Sequence, residues 1–393
     1  MSKAVIVDAI RTPVGKFGGV LQPFSAPELG AAVIRELIGR NNLPTSEVDE
    51  CIMGNVISAG LGQNPARQAS INGGLSETIP CLTINKVCGS GLMAAMIASD
   101  SILAERANMI VAGGMESMTN APYLLEQARF GYKLFDGKLI DSMVRDGLWE
   151  KFNDFHMGVT AEICAERFNI SREEADAFAL RSHRLAVKAT ENGRFSKEIV
   201  SLTIEQKKGQ TSIADKDEGP RSDTSLEKLA KLKPVFKDNG MITAGNASSI
   251  NDGAAATVVV SEDLAANYER KIAADVIDYT VVATKPEWIM EAPIPAINKL
   301  MERNSLKVDD IDLFEHNEAF ATASIAVQRT LKIPEEKFNI HGGAIALGHP
   351  IGASGARVLT TLLYSLAEKN LSRGIAALCL GGGEAVAMLV ERR

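Results

Sequence analysis

Two segments far apart in this chain repeat the same order of signals, and that repeat limits the folds open to it. Leu43-Pro-Thr-Ser-Glu-Val-Asp-Glu-Cys-Ile-Met-Gly-Asn55 resembles Leu306-Lys-Val-Asp-Asp-Ile-Asp-Leu-Phe-Glu-His-Asn317. Downstream of the first, Cys88-Gly-Ser-Gly91 opens a helix-like run, and the apolar stretch Met109–Ala112 ends at Gly113-Gly114-Met-Glu116. Downstream of the second, Gly352-Ala-Ser-Gly355 opens a helix, and Ala376–Leu380 ends at Gly381-Gly-Gly-Glu384. Each half reads strand, Gly-rich turn, helix, strand, Gly-Gly-x-Glu. That is a duplicated unit of a layered α/β fold with both sheet faces covered. At 393 residues there is room for two to three domains of roughly 150 residues. Glycine (33 residues) is plentiful and aromatics make up only 5%, so helices and strands are expected to pack closely through small side chains.

Local patterns fit this scheme. Ala4–Asp8 reads as a buried strand, Ala26–Gly39 has helical spacing, and Val48–Val56 is strand-like. Residues 119–249 fit neither half and read as a large insertion in the first. Inside it, Ser171-Arg-Glu-Glu174 is a capping box, and Ala175, Phe178, Ala179, Leu185 and Ala186 form a helical apolar stripe that Asn192-Gly193 ends. Glu205–Lys237 is polar and reads as exposed loop. Long excursions from an α/β core often cover ligands.

Charge and cysteine usage narrow the function. Lys+Arg 42 against Asp+Glu 49 gives a net charge of −7, which argues against nucleic acid or an anionic membrane as partner. The most apolar stretch, Gly374–Val390, carries Glu384 and falls short of the roughly 20 apolar residues of a span. The N-terminal run Lys3–Arg11 is too short and polar for a signal segment. The five cysteines include no CxxC pair, which argues against a disulfide framework or zinc site and for a reducing cytoplasm.

Three residues stand in settings suited to chemistry. Cys88 sits in a Gly-rich turn onto a helix start, where free N–H groups favour a thiolate; the bland alternative is a small buried hydrophobe. His349 is flanked by glycines and fixed by Pro350, placed to accept a proton near neutral pH, or else structural. Cys379 ends a strand before Gly381-Gly-Gly, whose N–H groups suit an oxyanion, though core cysteines are common. Asn317, with Glu318, reads by composition as a helix cap. His156 beside Phe155 and Met157 reads as a packed loop residue. Cys51, Cys81 and Cys164 read as core, His183 as part of a charged helix, and Lys228, Lys231 and Lys233 as a solvated basic face.

Together the motifs resemble the thiolase family in identity and order, over essentially the whole chain. They are Val-Cys88-Gly-Ser-Gly, Asn317-Glu-Ala-Phe, Gly342-Gly-Ala-Ile-Ala-Leu-Gly-His349-Pro and Cys379-Leu-Gly381-Gly-Gly. Asp8-Ala-Ile-Arg11-Thr-Pro, Ala112-Gly-Gly-Met-Glu-Ser117 and Ala244-Gly-Asn-Ala-Ser248 with Asn251-Asp-Gly-Ala add to them. The likeness is strongest to the short-chain members that form acetoacetyl-CoA. It implies two βαβαβαββ halves in a five-layered α/β/α/β/α core, with residues 1–118 plus 250–270 as the N-terminal half. A CoA-binding loop domain would span 119–249, and the C-terminal half 271–393.

The resemblance also implies a ping-pong Claisen condensation of two acetyl-CoA. Cys88 would be the acylated nucleophile, His349 its base, and Cys379 the acid/base at the methyl carbon. Asn317 would hold a water for one oxyanion hole, and the N–H groups of Cys88 and Gly381 would form the other. CoA would be held by His156, Met157, Arg221, Ser248, Ala319 and Phe320, with Met290 bordering the acyl pocket and Lys228 or Lys231 as further anion partners. No cofactor or metal is implied, and a homotetramer, at least a homodimer, is. The chain departs from the family at His316 and His341, which flank the site in sequence; the first is expected to tune its pKa values, the second to replace an Asn as hydrogen bonder. Rival readings are a broader-chain thiolase, a decarboxylating ketoacyl synthase, a non-catalytic lipid carrier and a Cys hydrolase.

Overall fold

The apolar N-terminal run forms β1 (Ala4–Arg11), buried at all eight positions. It has sheet neighbours on both edges and helices against both faces. The computed structural model describes residues 3–205, 209–268 and 272–393. The other principal strands are β2 (Glu50–Gly54), β3 (Cys81–Ile84), β4 (Met109–Ser117) and β5 (Asn251–Ser261), then β6 (Ala274–Ala283), β7 (Leu313–His316), β8 (Arg373–Leu380) and β9 (Glu384–Arg392). They lie in the order β7-β8-β9-β6-β1-β5-β4-β2-β3, and the two-residue strand Gly15–Lys16 pairs with the start of β5.

This order is the sequence repeat in three dimensions. β2 runs parallel to β4 and β7 parallel to β8, while β4 and β8 each turn antiparallel onto β5 and β9. The segments ending at Asn55 and Asn317 therefore hold matching places. One feature differs from two separately stacked sheets. β1 and β6 pair antiparallel, Val5 opposite Asp275 and Ile6 opposite Ala274, so the sheet is continuous. The pairing satisfies backbone groups that two free inner edges would expose.

The principal helices are α1 (Ala26–Asn41), α2 (Pro65–Gly73), α3 (Ser90–Leu103), α4 (Met157–Phe168), α5 (Arg172–Glu191), α6 (Pro293–Arg303), α7 (Ala321–Leu331) and α8 (Ile351–Lys369). α1 and α2 cover the outer face of the first half, and α6 packs on β6, β8 and β9 of the second. α3 and α8 form the middle layer. α8 touches β4 and β5 on one side and β7 and β8 on the other, which completes five layers.

Glycine lets that middle layer close. A Cβ on Gly91 of α3 would stand 2.6 Å from the Ala356 amide nitrogen of α8, and one on Gly355 of α8 only 2.3 Å from that of Leu92. A Cβ on Gly114 of β4 would stand 2.0 Å from the Gly352 carbonyl oxygen. These are contacts with backbone, which cannot swing aside as a flexible side chain does.

Because β4 and β5 are direct neighbours, with Ser117 opposite Asp252, the chain between them is an excursion from the sheet. It carries α4 and α5 and three short two-stranded ribbons. α5 starts at the capping box, where the Ser171 amide donates to Glu174 Oε2 (2.8 Å) and the Glu174 amide to Ser171 Oγ (3.2 Å). Leu185 of the expected stripe is only half-buried. The Glu205–Lys237 loop reading needs correction; its residues 206–208 lie outside the described ones. Leu202–Glu205 pairs with Thr211–Ala214, and the short helix Leu226–Ala230 buries Leu229 beside α5. Buried positions this sparse (Leu202, Ile204, Ala214, Leu229) are hidden by the charge around them.

Replacing Gly355 with Ala is expected to lower stability by about 1–3 kcal/mol through overpacking. Replacing Gly39 of α1, where an added Cβ meets nothing within 4 Å, is expected to stabilise by up to about 1 kcal/mol. Urea denaturation of both variants reads the contrast; equal effects would refute the close-contact account.

Candidate active site

Cys88 is presented by a strained turn. β3 ends at Ile84, and Val87 adopts φ +47°, a left-handed conformation that a β-branched residue avoids. Such strain costs on the order of 1–3 kcal/mol and persists where surrounding bonds over-determine it. Here the Ser90 hydroxyl donates to the Val87 carbonyl (2.7 Å) and accepts from the Lys86 amide (2.8 Å). A Cβ on Gly89 would fall 2.1 Å from Leu380 Cδ2 and 3.0 Å from Val386 Cγ2, so any side chain there would force these buried residues to shift. The result is a half-buried cysteine at the start of α3. Its resting state differs from the thiolate the sequence suggests. Burial raises the Cys88 thiol well above its ordinary value and the Cys379 sulfur adds to this, against the lowering effect of the Gly381 and Cys88 N–H groups. Both N–H groups are aimed at the Cys88 sulfur.

His349 follows Gly348, whose φ of +114° and contact with Asn251 exclude a side chain. The His349 amide donates to Asn251 Oδ1 (2.9 Å). Ser354 Oγ donates to the Pro350 carbonyl (2.8 Å) and lies 2.6 Å from His349 Nδ1. With its one proton committed to Pro350, Ser354 accepts from Nδ1–H, and this leaves the Nε2 lone pair free. Burial, with Arg357's charge adding, lowers the imidazole to about 3. It is neutral near pH 7 and able to receive a proton.

Asn317 stands behind His349. Its Nδ2 is 3.4 Å from His349 Nδ1, and its buried Oδ1 has no partner among the described residues. The cap reading is wrong: α7 begins at Ala321, its N-cap is Phe320, and no side chain caps it. Glu318 is buried instead, accepting from Ser182 (2.6 Å) and Asn339 (2.9 Å), which ties the insertion to the second half.

Cys379 lies near the end of β8, and burial pushes its thiol up to about 12. The following turn bends through Gly382 and Gly383, both at positive φ, and Glu384 pairs with Lys86 at 2.8 Å. The turns carrying Cys88 and Gly381 are thereby joined across the halves.

One cleft of about 600 Å³ collects Cys88, His349, Cys379 and Gly381 with His156, Met157, Arg221, Ser248, Met290, Ala319 and Phe320. That is an ordinary volume for a small-molecule site. Of the sequence candidates, Asn317 is held behind the lining. His156 Nδ1 accepts from the Gly158 amide (3.0 Å), its ring stacks on Phe236 (centroids 4.7 Å apart), and Phe236 meets Phe320 edge-on. Lys228 pairs with Asp223 at 2.6 Å, and neither it, Lys231 nor Lys233 lines the cleft.

Sequence reasoning missed His183 and Lys16, which line the same cleft; the His183 Nδ1 accepts from the Arg221 amide (3.2 Å). It also missed Ser354. No local pattern marks these, because their neighbours there come from distant elements. The expectation for His316 is corrected. It is 1% exposed, bonded through Nδ1 to Ser324 (3.0 Å), stacked on Phe338 and outside the cleft lining. His341 also lies outside it, with Nε2 3.2 Å from Glu368 and its ring edge-on to Phe195.

The chain is similar to known proteins over essentially its whole length. Residues 4–263 match the family described as "Thiolase, N-terminal domain" and residues 270–392 "Thiolase, C-terminal domain". A Staphylococcus aureus (strain COL) protein described as "Probable acetyl-CoA acyltransferase" is 49% identical over 392 residues, covering 100% of each chain. A Staphylococcus epidermidis (strain ATCC 12228 / FDA PCI 1200) protein of the same description is 48% identical, covering 100% of this chain and 99% of its own. The solved structure described as "Crystal structure of the Bacillus anthracis acetyl-CoA acetyltransferase" matches with a TM-score of 0.97 at 40% identity, over 100% of this chain and 99% of that one.

Burial lowers His316 to about 3, against about 6.5 in an unfolded chain. The unfolded state therefore binds the proton first. The stability due to neutral His316 is complete above about pH 6.5 and declines as pH falls toward 3. His316→Asn is expected to flatten the loss of urea stability between pH 6.5 and 4 and to leave the pH–rate profile unchanged. A shifted pH–rate profile would return His316 to the chemistry.

Proposed function

The chain belongs to the thiolase family, and from that premise we propose that it catalyses the reversible Claisen condensation of two acetyl-CoA to acetoacetyl-CoA and CoA. The observation that carries this reading is the meeting of Cys88, His349 and Cys379 in one cleft, with the Gly381 and Cys88 N–H groups aimed at the Cys88 sulfur. A hydrolase has no use for the second thiol. A decarboxylating ketoacyl synthase pairs one Cys with two His, and the presence of Cys379 and Asn317 beside His349 argues against it. A non-catalytic carrier needs none of the three groups.

The steps follow from the resting protonation states. As the Cys88 sulfur attacks the acetyl thioester carbon, its proton passes to His349 Nε2, which Ser354 keeps unprotonated beforehand. The Gly381 and Cys88 N–H groups receive the developing oxyanion; one such donor is worth about 3 kcal/mol. The tetrahedral intermediate collapses, the C–S bond to CoA breaks, and the CoA thiolate takes the proton of the Cys379 thiol, leaving Cys379 as thiolate. A second acetyl-CoA then enters. Cys379, now a thiolate, removes a methyl proton, the enolate carbon attacks the acetyl-Cys88 carbonyl, and the C–S bond breaks to release acetoacetyl-CoA and Cys88, which recovers its proton from His349. Asn317, with its unpaired Oδ1, supports the enolate oxygen through a water beside His349. Thiolysis runs the same steps backward.

CoA lies along the insertion, its phosphates toward Arg221 and Lys16 and its apolar arm toward His156, Phe236 and Phe320. Met157 and Met290 line the cleft near the reacting groups, and their bulk favours a short acyl chain. The chemistry needs no metal or redox group. Its reduced thiols suit the cytoplasm. A homotetramer, as a dimer of dimers, is supported by the segment from Tyr123 to Leu139, where Phe130 is 84%, Leu134 77% and Phe135 88% exposed.

Cys379→Ala is expected to accumulate an acetyl adduct on Cys88 by intact mass, while condensation falls about 10²–10⁴-fold. An adduct elsewhere would overturn the mechanism. Thiolysis of 3-ketoacyl-CoA substrates of increasing length is expected to be fastest with acetoacetyl-CoA. High kcat/KM on long chains would instead mark a broad thiolase of fatty-acid degradation.

A further inference from the structure

Two cysteines outside the cleft face each other across adjacent strands. Cys51 of β2 and Cys81 of β3 are direct register partners in a parallel pair. In-register residues of parallel strands point to the same face, and both side chains here belong to the apolar cluster that includes Ala66 and Ala69 of α2. Neighbouring strands lie about 4.8 Å apart, inside the Cα separation of roughly 4.4–6.8 Å that a disulfide spans. We propose that Cys51 and Cys81 are a redox pair, which a two-electron oxidant of the peroxide class converts to a disulfide joining β2 to β3.

The surroundings suit the two cysteines to different parts. β3 is the edge strand of the sheet, and Cys81 is partly exposed while Cys51 is fully buried. The Cys81 Sγ donates to the Ile79 carbonyl (3.5 Å), the same carbonyl that holds Arg67, and the neighbouring Cys51, Ser70 and Arg67 all lower its thiol. The neighbouring Cys81 and burial raise Cys51. Ser70 supplies a separate geometric sign. Its hydroxyl is fully buried on α2, the helix whose Ala66 and Ala69 pack in the same cluster as the two cysteines, and has no hydrogen-bond partner among the described residues. The Arg67 guanidinium, anchored on the Ile79 and Glu77 carbonyls (2.9 and 2.8 Å), keeps its charge beside the pair. Cys88 and Cys379 are instead both raised by burial. A thiolate, not a thiol, reacts with peroxide, so Cys81 is attacked ahead of the site cysteines.

The step balances with one peroxide. The Cys81 thiolate attacks a peroxide oxygen, the O–O bond breaks, and hydroxide leaves with the electron pair, giving a sulfenic acid. The Cys51 sulfur then attacks the Cys81 sulfur, the S–O bond breaks, and the second hydroxide takes the Cys51 proton as water. The two thiols lose two electrons and two protons, and the peroxide becomes two waters. The register is already in place, so no strand has to slip. The bridge consumes oxidant at the sheet edge and leaves Cys88 free.

The test uses reduced full-length protein with one equivalent of hydrogen peroxide at pH 7, followed by thiol titration, non-reducing peptide mapping and an acyl-transfer assay. The expected result is two thiols lost, a linked Cys51–Cys81 peptide that dithiothreitol releases, and retained activity. Cys51→Ser should stop at a sulfenic acid on Cys81 that dimedone traps. Cys81→Ser should form no link and slow peroxide-driven thiol loss about tenfold. The proposal is overturned if the link joins Cys88 to Cys379, or if Cys51 and Cys81 both stay alkylatable after the peroxide is consumed.

Discussion

Everything at the site depends on how closely α3 and α8 approach. Each begins with a Gly-x-Gly or Gly-x-x-Gly turn, and Gly91 and Gly355 bring each helix onto the backbone of the other. One helix start carries Cys88 and the other follows His349. A single methyl group at the crossing would push the nucleophile from its base, and a misplacement of about 1 Å can cost on the order of 100-fold in rate. The catalytic geometry is therefore a by-product of the packing that joins the two halves.

Charge is used around the site but kept out of its reacting groups. Arg11, at the end of β1, donates to Glu198 (2.6 Å) and to both oxygens of Asp217 (2.7 and 2.9 Å), and Thr361 of α8 donates to the same Glu198 (2.9 Å). This fully buried network fastens the insertion to the sheet and the middle helix, and loss of one partner would leave an uncompensated buried charge costing about 3–5 kcal/mol. Cys88 and His349 instead rest neutral, because desolvation outweighs the N–H groups that favour the thiolate. The charge is made only when substrate is there to receive it, and the thiolate then forms with little water around it.

The local signals of this chain were readable where the physics is local. The Ser171–Glu174 box did start α5, and the two Leu-to-Asn segments did end matching strands. Readings failed where the deciding neighbour is remote in the chain. Asn317 looked like a cap because its own sequence resembles a helix start, yet it is held against His349. His183 looked like one polar residue of a charged helix, yet it meets Arg221. Cys51 and Cys81 looked inert because each has an ordinary local setting, and only the pairing of β2 with β3 brings them together.

The sequence by itself determined the duplicated α/β layering, the inserted segment and the kinship of the Cys88, His349 and Cys379 motifs. Periodicity, glycine placement and capping act over a few residues, so they are written directly in the chain. The tertiary structure alone decided which protons are present, through burial of both thiols and the Ser354 bond to His349. It also decided that the two halves share a continuous sheet, and that His316 lies outside the cleft. Those outcomes depend on desolvation and on contacts between distant residues, which exist only once the layers have closed.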